Sequence, residues 1–135
     1  MIDKPTVVIA DDHPGILDVI AELLEPSFRI VAQAKDGDAA FRAIKECRPR
    51  LAILDLSMPK MNGLEVARRL SEIHSSTKIV FLTLESDEEI IDEARRCGHG
   101  YVSKIRVSSD LLPALGAALR GEFFTSDFAE LRRRR

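Results

Sequence analysis

Short apolar runs alternate with amphipathic stretches along this chain. The runs at residues 6–10, 51–54, 78–82 and 100–103 are rich in Val and Ile, and residues 28–34 alternate apolar with polar side chains. Short runs of this kind, separated by helical stretches, are typical of buried strands in a parallel sheet. The chain is therefore predicted to fold from strands that are each followed by a helix.

The stretches between the runs carry apolar residues at helical spacing. After the first run, Pro14 occupies a first helical position, and apolar residues then recur at i, i+3, i+4 and i+7, namely Leu17, Ile20, Ala21 and Leu24. Strand–helix units that follow one another predict one α/β domain with right-handed crossovers. We expect a single flavodoxin-like (βα)5 domain, with a five-stranded parallel sheet in the order 2-1-3-4-5 and helices on both faces.

The last two predicted helices differ in apolar content. The fourth has Ser86 as a candidate cap and a thin apolar stripe of Ile90, Ile91 and Ala94, so it is expected to dock weakly. The fifth, around residues 109–120, is apolar on much of its circumference: Leu111, Leu112, Ala114, Leu115, Ala118 and Leu119. This surplus leaves two interpretations open, a face for a partner and a broader contact with the core.

Residues suited to phosphate chemistry follow the predicted strands. Asp11 and Asp12 follow the first strand, Asp55 the third, Thr83 the fourth and Lys104 the fifth. Ligand sites in such sheets lie outside the carboxyl ends of the strands, so the fold is expected to gather these side chains. Magnesium prefers oxygen ligands, and a carboxylate can accept a phosphoryl group. The pattern therefore predicts a site for Mg²⁺ and a phosphoryl group.

Other polar residues near this pattern have simpler interpretations. No His or Cys is spaced in a way that suggests zinc, and His13, which precedes Pro14, is interpreted as a helix-start residue. Cys47 and Cys97 are too few for a disulfide framework. Both are predicted to be small buried apolar residues in a reducing cytosol.

Length and charge narrow the class of protein. The 135 residues fit one domain, and the net charge of -2 gives no electrostatic reason to bind nucleic acid. Asp3 and Lys4 interrupt any apolar stretch at the start, and no run is long enough to span a bilayer. We therefore expect a cytoplasmic protein in which this segment binds neither nucleic acid nor membrane.

The chain resembles the receiver domains of bacterial two-component response regulators, which share the chemotaxis-regulator-like fold. The resemblance extends from about residue 7 to residue 120 and depends on one set of residues: Asp11, Asp12, Asp55, Met58, Pro59, Gly63, Thr83, Tyr101 and Lys104. It implies a receiver domain over residues 5–121 and a C-terminal tail or truncated linker over residues 122–135. The run of arginines at residues 132–135 fits such a solvated tail.

The resemblance assigns roles to the acidic residues and the lysine. It implies that a sensor histidine kinase phosphorylates Asp55 and that Lys104 contacts the phosphoryl group. It also implies that Asp12 and Asp55 bind Mg²⁺ directly, that Asp11 acts through water, and that the backbone carbonyl of Ser57 is a further ligand. The protein would then catalyse only its own phosphorylation and dephosphorylation.

The resemblance also implies a switch. Thr83 and Tyr101 would form the switch pair, in which the threonine moves toward the phosphoryl group and the tyrosine ring fills the vacated space. The face made by the fourth helix, fifth strand and fifth helix would change in response. A homodimer formed on phosphorylation is a further partner that this resemblance allows.

The subgroup is indicated by the C-terminal part of the domain. Residues 110–112 and 117–124 are similar to the receivers that precede LuxR-type DNA-binding domains, which implies the N-terminal part of a transcriptional regulator. The chain itself contains no helix-turn-helix pattern. It departs from many receivers because Lys104 is not followed by proline, Leu84 is a large residue that could shield the phosphoryl group, and Pro113 interrupts the fifth helix.

Alternative functions remain open from the sequence. One is a stand-alone phosphorelay shuttle or protein-interaction regulator without DNA binding, and another is an interaction module that has lost phosphorylation. A phosphatase of the haloacid dehalogenase type also uses an aspartate at a strand end with magnesium. Such enzymes need a second acid two residues later, where this chain has Ser57, so turnover of phosphate esters is not expected.

Overall fold

Strands and helices alternate along the chain as the sequence predicts. The structure is a computed structural model and describes residues 3–84 and 88–127. The strands are β1 (Thr6–Ala10), β2 (Arg29–Ala34), β3 (Leu51–Asp55), β4 (Lys78–Thr83), β5 (Gly100–Ser103) and β6 (Phe124–Thr125). The helices are α1 (Pro14–Leu24), α2 (Gly37–Cys47), α3 (Gly63–Glu72), α4 (Glu88–Cys97) and α5 (Val107–Leu119), and a 3₁₀ turn over Lys104–Arg106 joins β5 to α5. In the described part of the chain, none of the helices combines the length and apolar character needed to cross a membrane.

The sheet confirms the predicted strand order. Its order is β2-β1-β3-β4-β5-β6, and every neighbouring pair is parallel. Ala10 in β1 lies opposite Leu54 in β3, so Asp11 and Asp55, which follow these two residues, lie next to each other. The sequence did not predict β6, a strand of 2 residues within the segment interpreted as a tail. The boundary at residue 121 stays a prediction, although residues 124–125 pair with β5.

Alternating side chains of the strands pack on opposite faces of the sheet. Val8 and Ala10 belong to the core that includes residues of α2, α3 and α4, whereas Val7 and Ile9 belong to the core that includes residues of α1 and α5. All five residues of β3 are buried. A strand that is covered on both faces by helices explains why its sequence is continuously apolar.

Helix α4 is the least anchored helix among the described residues. Ala94 is its one buried residue, and Ile90 and Ile91 are partly buried, which agrees with the thin apolar stripe. An ion pair between Arg68 of α3 and Glu93, 3.0 Å long, lies at the surface. The predicted cap Ser86 lies outside the described residues, and the expected mobility of this helix stays a prediction.

Of the two interpretations of its apolar surplus, the packing of helix α5 favours the broader contact with the core. The apolar residues that it buries include Val107, Leu111, Ala114, Leu115 and Ala118. Leu112 is 39% exposed, so little of the apolar surplus is left for a partner. The helix begins at Val107, two residues before the predicted start, and it continues through Pro113.

The prediction for the cysteines is wrong at one of the two positions. Cys47 is exposed, because α2 ends at this residue and Arg48 then turns the chain with a φ of 46°. Cys97 is half-buried, and its thiol donates to the carbonyl of Glu93 at 3.2 Å. Burial raises the pKa of the Cys97 thiol.

The start of α2 lies directly on the loop between β3 and α3. The N–H of Gly37 donates to the carbonyl of Pro59 at 3.1 Å, and the Asp36 carboxylate caps the helix by accepting from the N–H of Ala39 at 2.8 Å. A Cβ on residue 37 would overlap the backbone of Met61. Glycine is therefore required at this position so that the helix can support the loop that follows Asp55.

We expect Gly37→Ala to destabilise the fold by about 1–3 kcal/mol, because the added methyl overpacks against backbone. This cost exceeds the gain of at most about 1 kcal/mol that alanine brings to a helix. Urea unfolding followed by circular dichroism measures the difference. Gly15→Ala is the matched control, since nothing lies within 4 Å of a Cβ at that position in α1. Equal stability of the two variants would contradict the contact.

Candidate metal and phosphoryl site

Two buried carboxylates and one lysine meet at the carboxyl end of the sheet. Asp11 follows β1 and is 0% exposed, and Asp55 ends β3 and is 2% exposed. The Nζ of Lys104 lies 2.8 Å from Oδ2 of Asp11 and 3.0 Å from Oδ2 of Asp55. A side chain that starts at β5 therefore bridges the ends of β1 and β3, as the pattern of strand ends predicts.

Backbone N–H groups hold the second oxygen of each carboxylate. Ser57 N–H donates to Oδ1 of Asp55 at 3.1 Å, and His13 N–H donates to Oδ1 of Asp11 at 2.9 Å. Each buried carboxylate thus has one oxygen on the main chain and the other on Lys104. This arrangement fixes the direction in which both groups point.

The loop after Asp55 returns closely to the strand that it leaves. Gly63 N–H donates to the carbonyl of Leu56 at 3.2 Å, and a Cβ on Gly63 would lie 2.6 Å from the carbonyl oxygen of Asp55. Asn62 caps α3 by accepting from the N–H of Glu65 at 2.9 Å. The Asn62–Gly63 pair therefore supplies both the cap and the close approach.

Asp12 and His13 lie at the rim of the site. The Asp12 side chain is 34% exposed, and His13 Nδ1 lies 3.0 Å from Oδ1 of Asp11 and 3.0 Å from Oδ1 of Asp12. His13 is the residue that precedes α1, which confirms its role at the helix start. The turn at Asp11 folds the imidazole back onto both carboxylates, a contact that the sequence pattern did not predict.

The residues present fit a hard divalent cation. One ligand atom from each of Asp11, Asp12, His13 and Asp55 lies within 4.8 Å of the others. The group has three carboxylates, and the ammonium of Lys104 contacts two of them, Asp11 and Asp55. It therefore carries excess negative charge that a cation would compensate. Carboxylate oxygens are the side-chain ligands that Mg²⁺ prefers.

Burial and ion pairing shift two pKa values in this site. Burial raises the pKa of Asp55, the hydrogen bonds from Lys104 and Ser57 only partly offset it, and the charge of Asp11 adds to the rise. Burial alone would lower the pKa of Lys104, but its bonds to Asp11 and Asp55 outweigh this effect and raise that pKa. Lys104 therefore stays an ammonium. Even with this ammonium beside it, the ionised form of Asp55 is less favourable than in water while no metal ion is bound.

The structure places Thr83 at the site edge and Tyr101 within the sheet. Thr83 ends β4, between the strands of Asp55 and Lys104, and is 2% exposed. Tyr101 is 0% exposed and packs in the core cluster with Phe81 and Ala94. The ring thus already occupies the interior, and the coupling between the two residues stays a prediction.

Large apolar side chains follow two of the strands that form the site. Leu84 is 63% exposed and Ile105 is 70% exposed. Leu84 directly follows Thr83 in the chain, and Ile105 directly follows Lys104. Shielding of a phosphoryl group by Leu84 stays a prediction.

A second polar group beside Lys104 was missed by sequence reasoning. Ser103, Asp110 and Ser126 are all buried and joined by hydrogen bonds. Their spacing in sequence gives no signal, because the contacts require the unpredicted strand β6. An aspartate inside the apolar pattern of α5 was the one sign of a buried partner.

The family model described as "Response regulator receiver domain" matches residues 7–115 of the chain. Among curated proteins, the nitrate/nitrite response regulator protein NarL of Escherichia coli K12 is 34% identical over 128 residues. The match covers 93% of this chain and 59% of that protein. The chain thus spans about three fifths of the length of this curated relative.

Solved structures agree with the fold and the subgroup. A LuxR-family two-component response regulator from Aurantimonas sp. SI85-9A1 has a TM-score of 0.86 and 27% identity, over 96% of this chain and 99% of that one. The isolated REC domain of RcsB from Salmonella enterica serovar Typhimurium, solved with phosphomimetic BeF3-, has a TM-score of 0.85 and 28% identity. That match covers 95% of this chain and 97% of the other.

We expect Asp55→Asn to stabilise the metal-free fold by about 1 kcal/mol, because a buried charge is removed while Lys104 keeps its partner Asp11. The pKa of Asp55 is raised in the folded state, so wild-type stability is fully present below the ordinary value of 3.8 and is lost as pH rises through the folded pKa. The advantage of the variant should therefore grow from pH 4 toward pH 7. Urea unfolding in a chelator measures it.

Magnesium should make the wild type more stable to unfolding than Asp55→Asn. It should raise the melting temperature of the wild type and leave Asp55→Asn nearly unchanged, because a ligand that binds only the folded state stabilises it. Asp18→Asn removes an exposed carboxylate of α1 and serves as the control. If both aspartate variants responded to magnesium like the wild type, Asp55 would not be part of a metal site.

Proposed function

The chain belongs to the response regulator receiver domain family, and we propose that Asp55 is its phosphoryl-accepting residue. The observation that carries this proposal is the surroundings of the Asp55 carboxylate. It is buried at a strand end, with Lys104 Nζ 3.0 Å from one oxygen and the Ser57 N–H 3.1 Å from the other. A nucleophilic carboxylate with fixed cationic and N–H donors beside it is suited to receive a phosphoryl group.

The position of Asp55 in the sheet distinguishes it from the other carboxylates. Its strand β3 lies between β1, which brings Asp11, and β4, which brings Thr83. Asp11 has the main chain of His13 on one oxygen and Lys104 on the other, at the edge of this row. Asp55 is therefore the carboxylate around which the remaining groups are arranged.

We propose a phosphohistidine of a sensor histidine kinase as the donor. A carboxylate oxygen of Asp55 attacks phosphorus, the new O–P bond forms as the P–N bond breaks, and the electron pair stays on the imidazole nitrogen, which takes up a proton. Lys104 and the Thr83 hydroxyl would bind two of the phosphoryl oxygens. Bound Mg²⁺, held by Asp12 and Asp55 with Asp11 through water and the Ser57 carbonyl, would neutralise phosphoryl charge.

The response would pass through Thr83 to α4 and β5. A phosphoryl group gives the Thr83 hydroxyl a new acceptor, which biases the packing of β4 against β5. Because the Tyr101 ring is already inside, we propose that phosphorylation stabilises this packing rather than drawing in an exposed ring. Helix α4, with Ala94 as its buried residue, is the element of the α4–β5–α5 face that can adjust.

We propose that the output is transcriptional. Two relatives support this proposal by name, the transcriptional regulatory proteins DegU of Brevibacillus brevis and YdfI of Bacillus subtilis. The chain spans about three fifths of the length of the curated relative NarL. The chain would be the N-terminal part of such a regulator, acting in the cytoplasm and forming a homodimer on phosphorylation. The second candidate is a stand-alone phosphorelay shuttle or protein-interaction regulator, and the length of the natural reading frame decides between them.

Acetyl phosphate with Mg²⁺ should add one phosphoryl group to the wild type. The Asp55 oxygen forms the new bond to phosphorus, and acetate leaves with the electron pair of the broken P–O bond. Asp55→Asn should remain unlabelled in intact-mass spectra, whereas Asp18→Asn should be labelled like the wild type. Labelling of Asp55→Asn, or steady turnover of small phosphate esters, would overturn the assignment.

Thr83→Ala should accept the phosphoryl group but lose the conformational response. Hydrogen exchange of the α4 amides should change about fivefold or more in the phosphorylated wild type and less than about twofold in the variant. Thr83→Ser keeps the hydroxyl and should retain the response. An unchanged response in Thr83→Ala would show that the signal leaves the site by another route.

A further inference from the structure

The segment that follows α5 contacts the end of β5, directly before Lys104. We propose that Ser126, acting with Asp110, is a positioning residue for Lys104. The inference deepens the proposed function, since it rests on the role of Lys104 in phosphoryl transfer. Its evidence is a chain of hydrogen bonds that ends at the N–H groups of Ser103 and Ile105, the residues on either side of Lys104.

Ser126 is joined to β5 on two sides. It is 4% exposed, its N–H donates to the carbonyl of Tyr101 at 3.0 Å, and its Oγ accepts from the N–H of Ser103 at 3.0 Å. The same hydroxyl donates to Oδ2 of Asp110 at 2.6 Å. One serine thus links the last residues of β5 to the first turns of α5.

Asp110 fixes the direction of the Ser126 hydroxyl. It is 7% exposed and also accepts from Ser109 Oγ at 3.0 Å and from Arg106 Nε at 3.1 Å. Burial alone would raise the pKa of Asp110, but the bonds from Ser126, Ser109 and Arg106 lower it. An ionised carboxylate can only accept, so the hydroxyl of Ser126 donates to it and keeps a lone pair for Ser103.

These contacts hold both ends of the turn that presents Lys104. Ser103, the residue before Lys104, has its N–H on Ser126, and its own Oγ accepts from the N–H of Ile105 at 3.2 Å. Arg106, at the end of the turn, is bound to Asp110. The backbone of Lys104 is therefore fixed from the preceding and the following residue.

A fixed backbone matters for a lysine more than for a shorter side chain. Its stem has four carbons and many rotamers, and Nζ must reach Asp11 and Asp55 together. A displacement of about 1 Å in a catalytic group can cost up to about 100-fold in rate. The bonds of Ser126 remove one source of such displacement.

The test compares phosphorylation rates with acetyl phosphate and saturating Mg²⁺. Ser126→Ala should be labelled about tenfold more slowly than the wild type, and Ser126→Thr, which keeps the hydroxyl, should restore most of the rate. Ser108→Ala removes an exposed serine hydroxyl of α5, and it is the matched control that should leave the rate unchanged. Urea midpoints show whether each variant is folded. If Ser126→Ala does not fold, Asp110→Asn takes its place in the same measurement.

A double-mutant cycle separates positioning from general damage. If Ser126 acts through Lys104, Ser126→Ala should not slow labelling further in a Lys104→Ala background. In the metal-free protein, Ser126→Ala should also make the Ile105 amide exchange about tenfold faster, although Ser126 does not bind that amide. Slowing in both backgrounds, a wild-type rate in Ser126→Ala, or unchanged exchange at Ile105 would each overturn the proposal.

The exchange measurement does not depend on phosphorylation. If the wild type is not labelled on Asp55, the proposed function fails, and the Ile105 amide still reports whether Ser126 holds the turn. If the wild type is labelled and the cycle shows no coupling, the proposed function stands and the role of Ser126 is wrong.

Discussion

The ammonium of Lys104 between two buried carboxylates is the interaction on which the site depends. It joins the ends of β1, β3 and β5 through contacts of 2.8 and 3.0 Å, and its own side chain is only 8% exposed. Charges removed from water cost several kcal/mol each unless they are paired. One ammonium cannot balance Asp11, Asp55 and Asp12, so the fold carries a local charge imbalance that a cation can relieve. A group added to the Asp55 carboxylate changes the net charge at the place where the ends of β1, β3 and β5 meet.

The central strands could be predicted because their apolar runs are buried on both faces, and the strand order because successive strand–helix units are typical of the flavodoxin-like arrangement. A run such as residues 51–54 has no polar face to leave in water, which limits it to the middle of a covered sheet. Once the order is set, the positions of Asp11, Asp55 and Lys104 follow from the strands that they end. The position of His13 does not follow, because it depends on a hydrogen bond from its own N–H to Asp11.

The strand β6 could not be predicted for a related reason. Its 2 residues have no periodicity, and its pairing is supported by tertiary contacts that sequence does not display. Arg95 of α4 lies over the Phe123 ring at 4.6 Å from its centroid, and Ser126 binds Asp110 across 16 residues. The segment interpreted as a tail is thus held against the domain by its contacts with the buried carboxylate of Asp110 and by the Phe123 ring.

Under the proposed function, this docking would allow a change at Asp55 to reach the segment that follows α5. Coupling between two sites is reciprocal in free energy. If phosphorylation of Asp55 alters the end of β5 near Lys104, it must also alter the hydrogen bonds that hold Ser126. The reason is that the N–H of Ser103 donates to Ser126, while its Oγ accepts from the N–H of Ile105. Equally, a restraint on the segment after β6 must bias the position of Lys104. Under the proposed function, the contacts that position Lys104 would therefore also couple it to the segment around Ser126. Helix α4, which touches that segment through Arg95 and has Ala94 as its buried residue, would be the element that adjusts with it.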